Sequence, residues 1–411
     1  MNKEQAEIIS HVVPGGNVFR NLFITGAAGT GKSYTINAIV ELAKPALNIA
    51  ITSSTGTSAV TISGRTIHSF LGIGLAQKDP YHLYIVAQKR YPKRIQQIKE
   101  LHILVIDEVS MVSAELLDKI SQYLQYVRKN KIPFGGIQMI LCGDMCQLPP
   151  VSGDFCFKSK AWEEANFLCV ELKQQMRQSN DDSFTQMLNE LRFGLCTDKT
   201  FETLRQCTNP NFGEIKPTIL YSKNIDVDAI NAREFTKLIQ AGARKRTYKT
   251  IYSPEKTSKM YAESLKIPDE VDLCIGAQVV LTVNLAVEEG FVNGSRGMIT
   301  DFTDEGPVVL FKSGDQLIVT PYTYADDTDE NIWCVTTPLK LAYALTIHKS
   351  QSMTLDAVII DIGPSIFEYG QAYVALSRVR NLESVKVVNV TKSAFKTHPE
   401  VLRFYERISQ V

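Results

Sequence analysis

Gly26-Ala27-Ala28-Gly29-Thr30-Gly31-Lys32-Ser33 constrains this chain more than any other stretch. It follows the apolar run Leu22-Phe23-Ile24 and precedes a helical pattern from Tyr34 to Ala43. A glycine-rich turn from strand to helix closes backbone N–H groups around phosphates, and the helix N-terminus adds a favourable dipole. Lys32 brings a mobile positive charge to the outer phosphates, and the Ser33 hydroxyl is a ligand for Mg²⁺. A chance match in a Gly-rich turn is the plain alternative. A second apolar run, Ile103-Leu104-Val105-Ile106, argues against it by ending in Asp107-Glu108. One carboxylate there suits Mg²⁺ and its neighbour suits polarising a water. These parts predict a nucleoside triphosphatase.

Strand, loop and helix alternate from Leu22 to about Lys173, with apolar strands at 22–24, 49–52, 103–106 and 138–141. Each ends in a polar or Gly-containing motif, as in a parallel sheet that presents its site at the strands' carboxyl ends. The grammar returns at Thr218-Ile219-Leu220-Tyr221 and Ala357-Val358-Ile359-Ile360-Asp361, which predicts a second such sheet and a cleft between the two. Residues 276 to 335 differ. Short strand candidates at 278–282, 297–300, 308–311 and 316–319 are separated by Gly, Asn and Asp turns, the pattern of a small inserted β-barrel. Helices are expected at 115–129 and 183–193. With 411 residues, two to four domains are expected.

The 44 basic and 44 acidic residues cancel, so any nucleic-acid site must be a local groove. No apolar run is long enough to span a bilayer. The start, Met1-Asn2-Lys3-Glu4-Gln5, has no secretory or transit pattern, which predicts an intracellular protein of cytoplasm or nucleus. Eight cysteines are scattered, and only Cys142 and Cys146 lie close together. With no second pair beside them, all eight are read as reduced thiols, mostly in the core.

Gly143-Asp144-Met145-Cys146-Gln147-Leu148-Pro149-Pro150 follows the strand at 138–141, and Gln147 suits a γ-phosphate sensor. A plain strand exit is the alternative. Arg177 and Arg378 are candidate arginine fingers, since phosphoryl transfer gains from charge at the γ-phosphate. A surface ion pair is the bland reading of either. Thr66-Ile67-His68-Ser69-Phe70 and Thr346-Ile347-His348-Lys349-Ser350-Gln351 resemble each other. Hydroxyls and amides can hold a nucleic-acid backbone and rings can stack on bases, although a lone His is more often structural. Basic stretches at 88–94 and 244–249 could touch a backbone or be solvated loops.

Taken together, these motifs resemble the PIF (petite integration frequency) helicases, in the RecD-like and Dda-like class of superfamily-one 5′→3′ helicases. The resemblance runs through Asn2–Gln5, Gly64–Phe70, Val105–Val112, Pro133–Gln138, Leu191–Gly194, Val292–Gly297, Thr346–Gln351 and Gln371–Arg378. It implies an α/β fold of two RecA-like P-loop motor domains, each a parallel sheet flanked by helices. The first is expected at 1–172, with a wedge insertion at about 72–100. The second is expected at 173–275 and 336–411, with an SH3-like β-barrel inserted at 276–335. ATP and Mg²⁺ are the implied ligands, bound between the motors. Gln5 would read adenine, and Gly26, Gly29, Thr30, Gly31, Lys32, Ser33 and Tyr34 would surround the nucleotide. Ser33 and Asp107 would hold Mg²⁺, and Glu108 would activate water. Gln147 would sense the γ-phosphate, and Arg177 and Arg378 would act as fingers. Thr66, His68, Phe70, His348 and Ser350 would contact the tracking strand.

The implied activity is ATP-dependent 5′→3′ unwinding of duplex DNA by a monomeric motor on single-stranded DNA and fork junctions, in replication, recombination or repair. An ATP-switched single-strand translocase or remodeller is one rival, and a small-molecule phosphotransferase built on the same loop, such as a kinase, is the other. Two departures stand out. Ser352 replaces the family's usual Gly after Ser-Gln. The chain also starts directly at the motor, which points to a bacterial, viral or isolated-core form.

Overall fold

The computed structural model describes residues 5, 8–9, 12, 20–62, 64–174, 182–208, 217–222, 227–286, 289, 291–311, 313–326 and 329–408. The chain divides into two compact units, one of residues 1–179 with 398–411 and the other of residues 180–397.

The first unit is built on six parallel strands: β1 (Leu22–Gly26), β2 (Ile49–Ser53), β3 (Arg65–Thr66), β4 (Ile103–Asp107), β5 (Gln138–Cys142) and β6 (Leu168–Leu172). Their spatial order is β3-β2-β4-β5-β1-β6. Every residue of β1, β4 and β5 is buried, as expected of strands covered on both faces. The two-residue period sorts their side chains. Phe23, Leu104, Ile106, Met139 and Leu141 enter one core, with Ile67, Tyr123 and Phe404. Leu22, Ile24, Ile103, Val105, Ile140 and Cys142 enter the other, with Ile8, Ile36 and Ile39. Because β5 pairs with both β1 and β4, the carboxyl ends of these three strands are neighbours.

Helix α1 (Lys32–Ala43) follows β1, and a short helix α2 (Ile67–Leu71) follows β3. The stretch expected as a wedge contains α3 (Pro80–Arg90) and α4 (Pro92–Glu100). Asp79 caps α3 by accepting from the His82 N–H, and a proline opens each helix, where its missing N–H costs nothing. Leu83, Ala87, Ile95 and Ile98 bury these helices in the same core as α5 (Ala114–Arg128).

The C-terminal helix, Pro399–Ile408, corrects the expected boundary. Residues 398–411 belong to the first unit, not to a second motor running to 411. Phe404 packs on Phe23, Trp162 and Phe157, with ring centroids 5.8, 5.8 and 4.4 Å apart. An amphipathic helix can complete any apolar face its tether reaches, so its sequence position does not name its host.

The second unit contains a four-stranded parallel sheet in the order Ala344–Thr346, Thr218–Tyr221, Val358–Ile362, Val385–Val390. Between its strands lies antiparallel structure. Five strands run in the order Gln316–Ile318, Pro307–Phe311, Arg296–Phe302, Gln278–Leu281, Leu339–Leu341. Antiparallel pairing starts earlier than the expected 276, because Lys245–Lys249 pairs with Glu270–Cys274. The basic stretch 244–249 is therefore a strand, not a loop. Two of its four basic residues are paired at home, Arg244 with Asp301 and Lys245 with Asp272. Gly294 packs so tightly that an added Cβ would lie 2.3 Å from the Thr354 carbonyl oxygen. Beside it, the buried Arg296 donates its N–H to Asp356. The Val292–Gly297 motif thus joins the antiparallel insert to the segment after His348.

Candidate active site

β1 ends at Gly26, whose backbone adopts φ 147°. A Cβ there would lie 2.5 Å from Leu172 O and 2.7 Å from Thr30 Oγ1, so the turn admits only glycine. Gly29 and Gly31 are left-handed, at φ 88° and 84°. Thr30 is buried and donates to Ala27 O, which tightens the loop. Gly31 is the N-cap of α1 and makes no side-chain cap, so the N–H groups of the first turn face a ligand position rather than a cap. Lys32 Nζ donates to Gly26 O at 2.8 Å and Ala27 O at 3.0 Å, which holds the ammonium over the loop. Ser33 is half-buried at the same turn, whereas Tyr34 is 56% exposed. Gln5 is buried, in the segment whose Ile8 and Ile9 pack on the α1 side of the sheet.

Asp107 closes β4. Burial raises its carboxyl above the ordinary range, and the neighbouring Glu108 charge raises it further. The Glu108 N–H, which donates to Asp107 Oδ1 at 2.9 Å, and the Lys32 ammonium act in the opposite direction. A buried carboxylate beside a like charge is stabilised by a cation, which fits a divalent ion held with Ser33. Glu108 sits at φ 52°, an uncommon conformation for a residue with a side chain. Hydrogen bonds hold this strained corner: Ser54 N donates to Asp107 O at 3.1 Å, and Ser54 Oγ to Glu108 O at 2.8 Å. Gly143 lets the strand β5 exit press against it, since a Cβ there would lie 3.0 Å from Val109 N.

Gln147 is buried in the turn after β5. Asp144 shapes that turn: its backbone carbonyl accepts from Gln147 N at 3.0 Å and its Oδ1 from Cys146 N at 3.1 Å. The phosphate loop, the Asp107-Glu108 corner and the Gln147 turn are thus brought together at the carboxyl ends of β1, β4 and β5. Sequence reasoning missed Tyr405, whose hydroxyl reaches both Thr25 and Asp144. No local pattern marked it, because it reads as a core position of an amphipathic helix. It also missed Ser54, which only the β2–β4 pairing places at the corner.

The predicted DNA-grip residues divide. Thr66 caps α2 by accepting from Ser69 N, and burial lowers the His68 imidazole pKa. Phe70 is 2% exposed and packs in the first unit's core, so it is a packing residue, not a ring offered to a base. In the second unit, His348 is half-buried with its pKa lowered, mainly by burial. Ser350 is 0% exposed and donates to Ile347 O, so its hydroxyl is committed to its own turn. A short motif cannot specify which of its side chains the core will claim, as with Phe70, or its own turn will consume, as with Ser350.

Arg177 lies outside the described residues. Arg378 is buried and donates to Val374 O, Met353 O and Ser377 Oγ. A finger role requires it to exchange those local acceptors for phosphate. In the 88–94 stretch, Arg94 donates to Ser69 O at 2.7 Å and lies over the Tyr91 ring, which ties the insertion to α2. Ser352 has φ 68°, the region that favours glycine. Cys142 and Cys146 are both buried and lie outside any disulfide. Among the described residues no helix is long and apolar enough to cross a membrane.

A parallel sheet that converges a phosphate loop, an Asp-Glu corner and a Gln turn defines a P-loop nucleoside triphosphatase. The PIF1-like helicase family model matches residues 1–202. An "ATP-dependent DNA helicase PIF1" of Xenopus laevis is 38% identical over all of this chain, and the chain spans 65% of that relative's length. The crystal structure of Pif1 helicase from Candida albicans is 34% identical, with 99% of each chain covered and a TM-score of 0.79. Pif1 from Bacteroides sp in complex with ADP-AlF4 is 27% identical, with a TM-score of 0.84, covering 100% of this chain and 97% of that one. Bacteroides Pif1 bound to ssDNA, with the same identity and coverage, gives 0.70. This chain belongs to the PIF1-like helicase family.

Proposed function

We propose that the chain is an ATP-driven DNA helicase that moves 5′→3′ on single-stranded DNA and opens duplexes at forks, serving replication, recombination or repair. The observation that carries the reading is the convergence of the phosphate loop, the strained Asp107-Glu108 corner and the Gln147 turn at the carboxyl ends of three adjacent central strands. The names of the relatives supply the nucleic-acid side, since Bacteroides Pif1 is a protein bound to ssDNA.

The loop N–H groups and Lys32 hold the triphosphate, and Gln5 reads the adenine. Ser33 and Asp107 would hold a divalent cation, Mg²⁺ in this reading, which would supply positive charge to the phosphate oxygens. Glu108 takes the proton of the attacking water, with its backbone held in place by the corner hydrogen bonds. Gln147 contacts the γ-phosphate, and Arg177 and Arg378 add charge as hydrolysis proceeds. Thr66, His68 and His348 lie against the DNA backbone, with binding that is salt-sensitive and weakly selective for sequence.

Strand displacement with ATP and Mg²⁺ tests the reading, comparing 5′-tailed with 3′-tailed duplexes. Unwinding of the 5′-tailed duplex alone is expected. Unwinding of the 3′-tailed duplex alone overturns the polarity. No unwinding, with hydrolysis still stimulated by single strands, replaces the helicase with a translocase or remodeller.

A further inference from the structure

The Tyr405 hydroxyl lies at a junction of three elements. Tyr405 is 4% exposed, on the C-terminal helix. Its oxygen is 2.7 Å from Thr25 Oγ1, 3.0 Å from Asp144 Oδ1 and 3.1 Å from Met145 N. A phenol has one proton to donate and two acceptor positions. The Asp144 carboxylate only accepts and the Met145 N–H only donates. Tyr405 therefore donates to Asp144 and accepts from Met145, and Thr25 is left as the second donor to Tyr405. The hydroxyl's full capacity is used in a buried position, where each lost partner is costly.

What it joins matters more than the bonds. Thr25 directly precedes Gly26, whose carbonyl holds the Lys32 ammonium. Asp144 is the residue that folds the turn carrying Gln147. The phenol is thus a strut between the phosphate loop's base and the Gln147 turn, supplied from 380 residues along the chain from Thr25. Packing alone does not require the oxygen, because the Tyr405 ring already has an aromatic neighbour in Phe404, with centroids 5.7 Å apart.

We infer that Tyr405 is a positioning residue for nucleotide hydrolysis, fixing the Gln147 turn relative to the phosphate loop through Asp144 and Thr25. This rests on the proposal that the site hydrolyses ATP. The last backbone hydrogen bond between these adjacent strands runs from Gly143 N to Ile24 O at 3.1 Å, and beyond it the Tyr405 hydroxyl links Thr25 to Asp144 and Met145. Without the strut the turn drifts while the phosphate loop still binds nucleotide. Turnover is then lost with affinity retained, because a misplacement of about 1 Å costs on the order of a hundredfold in rate.

The test uses the full chain with Tyr405→Phe, Thr25→Val and the double variant. Steady-state ATP hydrolysis is measured with saturating single-stranded DNA, and hydrogen exchange is followed at the Met145–Gln147 amides. Tyr405→Phe is expected to lower kcat by about tenfold or more, leave KM within about twofold and speed exchange at these amides. Thr25→Val should add little on top of Tyr405→Phe, because both remove one shared network. Unchanged kcat in Tyr405→Phe, with an active parent protein, overturns the inference. So does a uniform rise in exchange across the whole first unit, which would mark Tyr405 as merely structural. If the parent protein does not hydrolyse ATP, the functional proposal fails separately. Exchange then decides alone: unchanged protection at Met145–Gln147 overturns the strut, and a local increase supports it.

Discussion

Ser352 occupies a left-handed backbone position, φ 68°, in a turn built of successive hydrogen bonds between residues three apart. Gln351 N donates to His348 O and Met353 N to Ser350 O, and Met353 O in turn accepts from Arg378. The turn therefore fixes one of the acceptors that hold Arg378. A left-handed residue with a Cβ costs about 1–2 kcal/mol, and glycine forfeits roughly 0.4–1 kcal/mol through its freer unfolded chain. The expected net gain for Ser352→Gly is about 1 kcal/mol of unfolding free energy. Ser352→Ala is the proper reference, because it removes the hydroxyl's interactions while keeping the backbone cost. Urea unfolding followed by Trp333 fluorescence, in a Trp162→Phe background, reports the second unit. With a slope of about 2–3 kcal/mol per molar, the Gly variant should unfold about 0.3–0.5 M later than the Ala variant. Equal midpoints, or an earlier one for Gly, would refute the claim that this backbone is strained. The serine, where the family usually carries glycine, then becomes a neutral replacement.

Other outcomes follow from the same geometry. Glu108→Gln should retain ATP binding and lose turnover by at least about a hundredfold, read by single-turnover hydrolysis; normal turnover removes Glu108 as the base. Phe70→Ala should destabilise the first unit by about 3–5 kcal/mol in chemical unfolding, since it empties a buried ring site. A stable protein that merely binds DNA weakly would restore the stacking role. His68 and His348 both have pKa values lowered by burial from 6.5, so each is protonated more readily in the unfolded chain. Their contribution to stability is complete above pH 6.5 and is lost as the pH falls below it. Replacing both with Gln should flatten that acid limb of a stability-versus-pH curve, and an unchanged slope would show that other groups set it.

The local sequence determined what depends on short-range geometry. Gly26, Gly29 and Gly31 sit where no Cβ or only a left-handed backbone is tolerated, and Leu22–Gly26, Ile103–Asp107 and Gln138–Cys142 could be read as doubly covered strands from their unbroken apolar runs. The departure at Ser352 was legible only against the family pattern, and its left-handed backbone emerged only in the fold. Tertiary structure decided what depends on partners distant in the chain. Phe70 became core and Ser350 a turn donor, because packing and local hydrogen bonds claimed side chains that a motif leaves ambiguous. The helix at 399–408 joined the first unit, because an amphipathic face specifies that it must be buried but not against what. The Tyr405 hydroxyl acquired a role only when folding brought Thr25, Asp144 and Met145 around it. A hydrogen bond is directional and short, so its partners exist only once three distant segments share one place.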